Sequence, residues 1–135
     1  MRKLSYFLFV FSLCIFSVSI LGFIFNGHPI QTNTFYTSVN VTNNIGFDLN
    51  STALTFGNVV KGGSSSRNLN LVNNYPFPVV AIVRTEGEIA PLLHFDNIID
   101  IGINESKKLS FSVLAYPYFN ESLYTGNVFV ELYRR

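Results

Sequence analysis

The sequence predicts an all-β exterior domain, an antiparallel sandwich of about seven strands, carried behind one N-terminal transmembrane helix. Three observations predict it. Leu4 to Phe25 runs 22 residues without a charge, directly after Arg2 and Lys3, and the next formal charge is Asp48. From Phe35 onward apolar residues recur with period two, and no window keeps a helical i, i+3, i+4, i+7 stripe. Clusters of Gly, Pro, Asn and Ser interrupt that alternation at short intervals, as the turns of a two-layer sandwich do.

The apolar run makes a helix of about 33 Å at ~1.5 Å per residue, against a hydrocarbon core of about 30 Å. Basic residues on a short N-terminal flank hold that end in the cytoplasm, so everything after the helix faces outward. The chain divides accordingly into a cytoplasmic stub (1–3), a signal anchor (4–25), a stalk (26–34) and the exterior domain (35–135). The competing reading is a cleaved secretory signal, with Ser17-Val18-Ser19 as its small-x-small site, which would release a secreted domain. Cleaved signals have apolar cores of about 7 to 15 residues, shorter than this one, which favours the uncleaved anchor. Ser5, Ser12 and Ser19 recur every seven residues, with Gly22 near the stripe's end, and are candidates for packing against a second membrane helix. The alternative is that each hydroxyl simply bonds back to the carbonyl four residues earlier.

The stalk, NGHPIQTNT, is polar and carries no periodicity, and nine extended residues reach at most about 30 Å. Its His28 reads as a headgroup-level residue. Cys14, the only cysteine, lies in the apolar run, so no disulfide and no cysteine-based metal or redox chemistry is expected in the exterior domain. Beyond the anchor stand seven basic and eight acidic residues. That balance argues against nucleic acid and against a polybasic lipid-binding surface.

Phe35, Thr37, Val39 and Val41 face one way in the first strand, and Ile45, Phe47 and Leu49 continue the alternation. Leu54 and Phe56 follow, then a turn at Gly62-Gly63-Ser64-Ser65-Ser66. Leu69 and Leu71 alternate with Asn68 and Asn70 up to Asn73-Asn74, after which Pro76 and Pro78 bar a helix and start a strand over Val79–Thr85. That strand is apolar on both faces at first and belongs inside its sheet. Two short segments, Leu92 to Phe95 and Ile98 to Ile101, lead to a strand in which Leu109, Phe111, Val113 and Ala115 oppose Lys108, Ser110, Ser112 and Leu114. In the last strand Val128, Val130 and Leu132 oppose Phe129, Glu131 and Tyr133. Phe56, Leu71, Val83 and Phe111 are the expected core.

The run ALTFGNVVKGGSSSRNLNLVNN, Ala53 to Asn74, has an apolar-Phe-Gly-x-Val strand, a Gly-rich turn, an alternating strand and a closing Asn. It resembles the opening of the immunoglobulin-like sandwiches of the MSP and Hydin-like group. The stretches INESKKLSFSVLAYP and YTGNVFVEL are similar to the end of such domains and of cell-adhesion-related sandwiches, so the likeness covers roughly residues 45 to 134. It implies an immunoglobulin-like fold and a binding or scaffolding role, and it brings no catalytic residues. The chain departs from the pattern at Gly102-Ile103-Asn104-Glu105, where an acidic Pro-Gly turn is common. In layout, one membrane helix before an exterior sandwich, the chain also resembles the small archaellum stator proteins.

Motifs for chemistry are absent: no G-x-S-x-G, no H-E-x-x-H, no phosphate loop, and two histidines 66 positions apart. His94, Asp96 and Asp100 are the one cluster to weigh as a cation site, and they lack the oxygen ladder that calcium needs. No cofactor, no small-molecule substrate and no enzymatic activity is expected. Four N-x-S/T sequons, at Asn40, Asn50, Asn104 and Asn120, stand against roughly two expected by chance. The loop Tyr116-Pro117-Tyr118-Phe119 is the candidate partner contact, because tyrosines give rigid, amphipathic area at low entropy cost. Tyr124 reads instead as a corner tyrosine bonded back to the main chain. The expectation is a membrane-anchored binding or scaffolding module for another cell-envelope component. A structural subunit of a membrane assembly or filament base, built by self-association, is the alternative.

Overall fold

The computed structural model describes residues 2–43 and 53–135, with the side chains of the N-terminal helix described from Tyr6 to Gly22. Ile45, Phe47, Leu49 and Asn50 lie outside the described residues. Helix α1 spans Arg2–Asn26 and is apolar on every side. The stretch with described side chains, Tyr6 to Gly22, is about 26 Å long at ~1.5 Å per residue, and among the described residues no helix is long and apolar enough to cross a membrane. The ends of the expected span, Leu4 and Ser5, and Phe23 to Phe25, fall outside the described side chains.

Among the described residues eight strands follow: β1 Gln31–Thr42, β2 Leu54–Val60, β3 Ser64–Val72, β4 Val79–Gly87, β5 Leu93–His94, β6 Ile98–Ile101, β7 Ser106–Leu114 and β8 Ser122–Arg134. They form a five-stranded sheet ordered β2-β1-β8-β4-β6 and a three-stranded sheet ordered β3-β7-β5. Every connection after β2 switches sheets, so the two layers are laced together along the whole chain. Period-two alternation decides which residues face between them: Val39 and Val41, then Val79, Ala81 and Val83, then Leu109, Phe111 and Val113, then Val128, Val130 and Leu132 all contribute to one core. Phe111 is fully buried at its centre, and Phe56, Leu71 and Val83 are buried with it.

Three expectations need correction. The strands are not all antiparallel, because β1 and β2 pair in parallel, Thr37 beside Leu54 and Thr42 beside Val60. A parallel neighbour cannot be reached through a tight hairpin, because the chain must travel back before pairing. Among the described residues eight strands form rather than about seven, the short β5 and β6 lying in different sheets. The sheet also begins at Gln31 rather than Phe35, leaving only Gly27 to Ile30 between α1 and β1. Polar Gln31 and Asn33 join β1 because Leu132 and Val130 of β8 lie opposite and offer main-chain partners.

Two glycine sites shape the larger sheet. In the β1–β2 pair the register slips between Ser38 and Asn40, and Gly57 in β2 takes a φ of 69°, which lets the extra residue bulge. Gly87 at the end of β4 sits against Gly126 of β8. A Cβ on Gly126 would lie 2.2 Å from the Glu86 carbonyl oxygen and 2.8 Å from Ile89 Cγ2, so β4 and β8 close this tightly only with hydrogen there.

The pairings define two poles. At the helix-side pole lie Gln31, the 73–78 connection, the turn at 102–105, and Arg134 with Arg135; at the far pole lie Thr42, Gly62-Gly63 and the loop 115–121. Asn73 holds the first pole together. It is fully buried, its Nδ2 donates to the carbonyls of Phe77 (2.9 Å), Gly102 (2.9 Å) and Ile101 (3.3 Å), and its Oδ1 accepts from the Tyr75 amide (2.9 Å). The turn at 102–105, packed against Asn73, is closed by its own residues. Asn104 takes the left-handed conformation, φ 56°, and Glu105 Oε2 accepts from the Gly102 amide at 2.6 Å.

Candidate functional site

The far pole gathers the residues expected to make contact. Strand β7 ends where Ala115 exchanges main-chain hydrogen bonds with Gly62 and Gly63, and Pro117 then breaks the pairing. Tyr116 to Phe119 closes a turn through the Phe119 amide and the Tyr116 carbonyl (3.0 Å), with Pro117 at the position where its fixed φ is favoured. The turn folds its rings onto each other. Tyr116 and Tyr118 stack at 5.4 Å and 5°, Tyr118 and Phe119 approach at 4.9 Å, and Phe119 meets the edge of Tyr124 at 5.7 Å. Each such pair contributes roughly 0.5–1.5 kcal/mol beyond its burial.

The cluster divides by exposure. Phe119 and Tyr124 pack on the core, and Tyr124 Oη donates to the Asn120 carbonyl at 3.1 Å, a corner-tyrosine bond. Tyr118 is 76% exposed, and Tyr116, half-buried, lines a shallow apolar crevice of about 230 Å³ with Gly62, Gly63, Leu114, Ala115 and Pro117. Glu121 borders the cluster, with Lys61 Nζ at 3.6 Å and Asn43 Nδ2 at 2.9 Å. Rings and a small crevice offer apolar contact area with phenol hydroxyls at its rim.

Other candidates are scattered. His94 sits in β5 with its ring edge-on to Tyr116 at 6.3 Å, while Asp100 lies in β6 of the other sheet and pairs with Arg135 at 3.2 Å. Among the described residues no three His, Cys, Asp or Glu side chains come together. Of the described sequons, Asn104 and Asn120 are exposed, whereas Asn40 is half-buried and bonds through Nδ2 to Asn58 Oδ1 at 3.0 Å. In α1, Ser12 and Ser19 line a groove with Leu8, Phe11, Ile15 and Phe16, and Ser19 Oγ donates back to the Ile15 carbonyl at 2.9 Å. A Cβ at Gly22 would meet nothing, and the Ser5 side chain is outside those described.

The displaced ionisations lie away from the ring cluster. On the outer face of the five-stranded sheet Arg84 bonds Glu131 and Glu86, which holds its proton more firmly, and its guanidinium lies 4.2 Å from the centre of the Phe129 ring. Burial, then the hydrogen bond to Glu131, raises the Tyr133 phenol above its ordinary value. The Gly102 amide, with Lys107 adding to it, lowers Glu105. Sequence reading missed both Asn73 and the Arg84–Phe129 stack. The first had a faint signal in an Asn placed two residues before an aromatic-proline run; the second had none, since its partners are 45 positions apart.

Comparison with known proteins returns no match: no family model, no curated protein and no solved structure is similar to this chain.

Proposed function

We propose that this chain is a single-pass membrane protein whose exterior domain is an immunoglobulin-like sandwich and a non-catalytic binding or scaffolding module for another cell-envelope component. One observation supports this reading above the others. Helix α1 is apolar all round, its described side chains are all exposed, and it makes no extended packing with either sheet. A helix of that kind belongs in a large core or in lipid, and the domain closes its own core without it. The flank Arg2-Lys3 sets the N-terminus in the cytoplasm, and the far pole, with Tyr118 outermost, faces the partner.

In intact cells, a tag before Met1 is expected to resist added protease, and a tag after Arg135 to be cleaved. The reverse pattern defeats the topology. Tyr116→Ser with Tyr118→Ser is expected to abolish a crosslinked complex in the envelope while leaving folding unchanged by circular dichroism. A complex that survives those changes removes the ring cluster from the reading.

A further inference from the structure

The helix-side pole has a composition of its own, and the chain keeps it close to the end of α1. Gly27 to Ile30 reach at most about 14 Å when extended, whereas β1, of 12 residues, carries the far pole roughly 40 Å away at ~3.3 Å per residue. Three aliphatic side chains stand exposed on or beside this pole: Ile30 (40%), Val72 (54%) and Ile103 (53%). Tyr75 and Phe77 stack beside them at 5.3 Å, and the Arg134 guanidinium lies 4.5 Å from the centre of the Phe77 ring. The Tyr75 hydroxyl bonds Gln31 Oε1 at 3.2 Å, so its polar tip is held among polar groups while its ring stays with Phe77.

Rings with a polar tip and arginines with a long apolar stem are the side chains that settle at a membrane boundary. Charge does not point to an anionic partner. Arg135 pairs with Asp100 and Lys107 with Glu105, which leaves the pole amphipathic rather than polybasic.

We propose that this pole rests in the phospholipid headgroup layer beside the anchor, with Ile30, Val72 and Ile103 against the lipid and Tyr75, Phe77 and Arg134 around them. The inference rests on the reading of α1 as a membrane anchor. It makes the domain stand upright rather than swing on a stalk, and it points the Tyr116–Tyr124 loop away from the membrane. It also closes the Asn104 sequon, at the tip of the pole, to a glycan, while Asn120 at the far pole stays open.

The chain contains no tryptophan, so one introduced indole reports alone. The full chain carrying Ile103→Trp is reconstituted in phosphatidylcholine vesicles brominated just below the headgroup, with Val72→Trp as a second reporter and Tyr118→Trp at the far pole. The expected result is a roughly two-fold or greater loss of fluorescence at 103 and at 72 relative to unbrominated vesicles, and no loss at 118. Retention of the chain through an alkaline wash, with positions 103 and 72 as bright as 118, overturns the inference and leaves the anchor standing. A chain that washes off the vesicles overturns the anchor, and the inference with it.

Discussion

The two poles of the domain are tied by opposite chemistry. At the helix-side pole one buried amide, Asn73, gathers three carbonyls and an amide from two segments, 75–77 and 101–102, and Glu105 caps the neighbouring turn. At the far pole stacked rings do the same work, with a single phenol bonded to the main chain. Buried polar ties are sensitive because losing one partner strands the others, whereas a ring at the surface loses only its own area and contacts. The pole built from polar groups is therefore the more brittle one.

Asn73→Ala carries the largest expected effect, because it strands the buried carbonyl of Ile101 and the part-buried carbonyls of Phe77 and Gly102 together with the Tyr75 amide. A loss of about 3 kcal/mol is expected in urea unfolding of the full chain in mild detergent. Asn74→Ala, one residue on and exposed, should stay within about 0.5 kcal/mol. Equal, small effects of the two would dissolve the contrast between the poles.

Phe119→Ala comes next. A fully buried Phe truncated to Ala costs about 3–5 kcal/mol, and this half-buried ring should cost about 2 kcal/mol. Tyr124→Phe keeps the ring and removes only the bond to Asn120, for about 0.5–1 kcal/mol. A larger effect from Tyr124→Phe than from Phe119→Ala would mean that the far pole too is held by a polar tie.

The smallest effect sharpens the comparison through pH. Glu105 is held below its ordinary value of 4.5 by the Gly102 amide and Lys107. A lowered folded pKa means that the carboxylate favours the folded state fully above 4.5, and that this contribution is lost as pH falls through the lower folded value. Glu105→Gln should therefore be slightly less stable than the natural chain at neutral pH and indistinguishable from it in acid. A gap between the two unfolding midpoints that widens on acidification would reverse the assignment.

Much of the domain was legible because alternation is a local property. Val128, Val130 and Leu132 face inward whichever strand lies beside them, and a one-residue slip would have turned them all outward. Tyr124 as a corner residue and Tyr118 as the exposed ring were also readable, since Pro117 and the turn around it constrain a short segment. Pairing was not legible in this way. The parallel seating of β2 on β1, and the entry of polar Gln31 and Asn33 into the sheet, depend on main-chain partners in strands remote in the sequence.

By itself, then, the sequence determined an uncharged apolar helix ahead of an all-β domain, the inward face of its main strands and the ring-rich loop, each of them a consequence of neighbouring residues. Only the tertiary structure decided that the strands form a mixed five-stranded sheet over a three-stranded one, that Asn73 is the buried tie, and that Ile30, Val72, Tyr75, Phe77, Ile103 and Arg134 share one pole. Those facts arise from hydrogen bonds and packing between segments up to about a hundred residues apart, which periodicity along the chain does not encode.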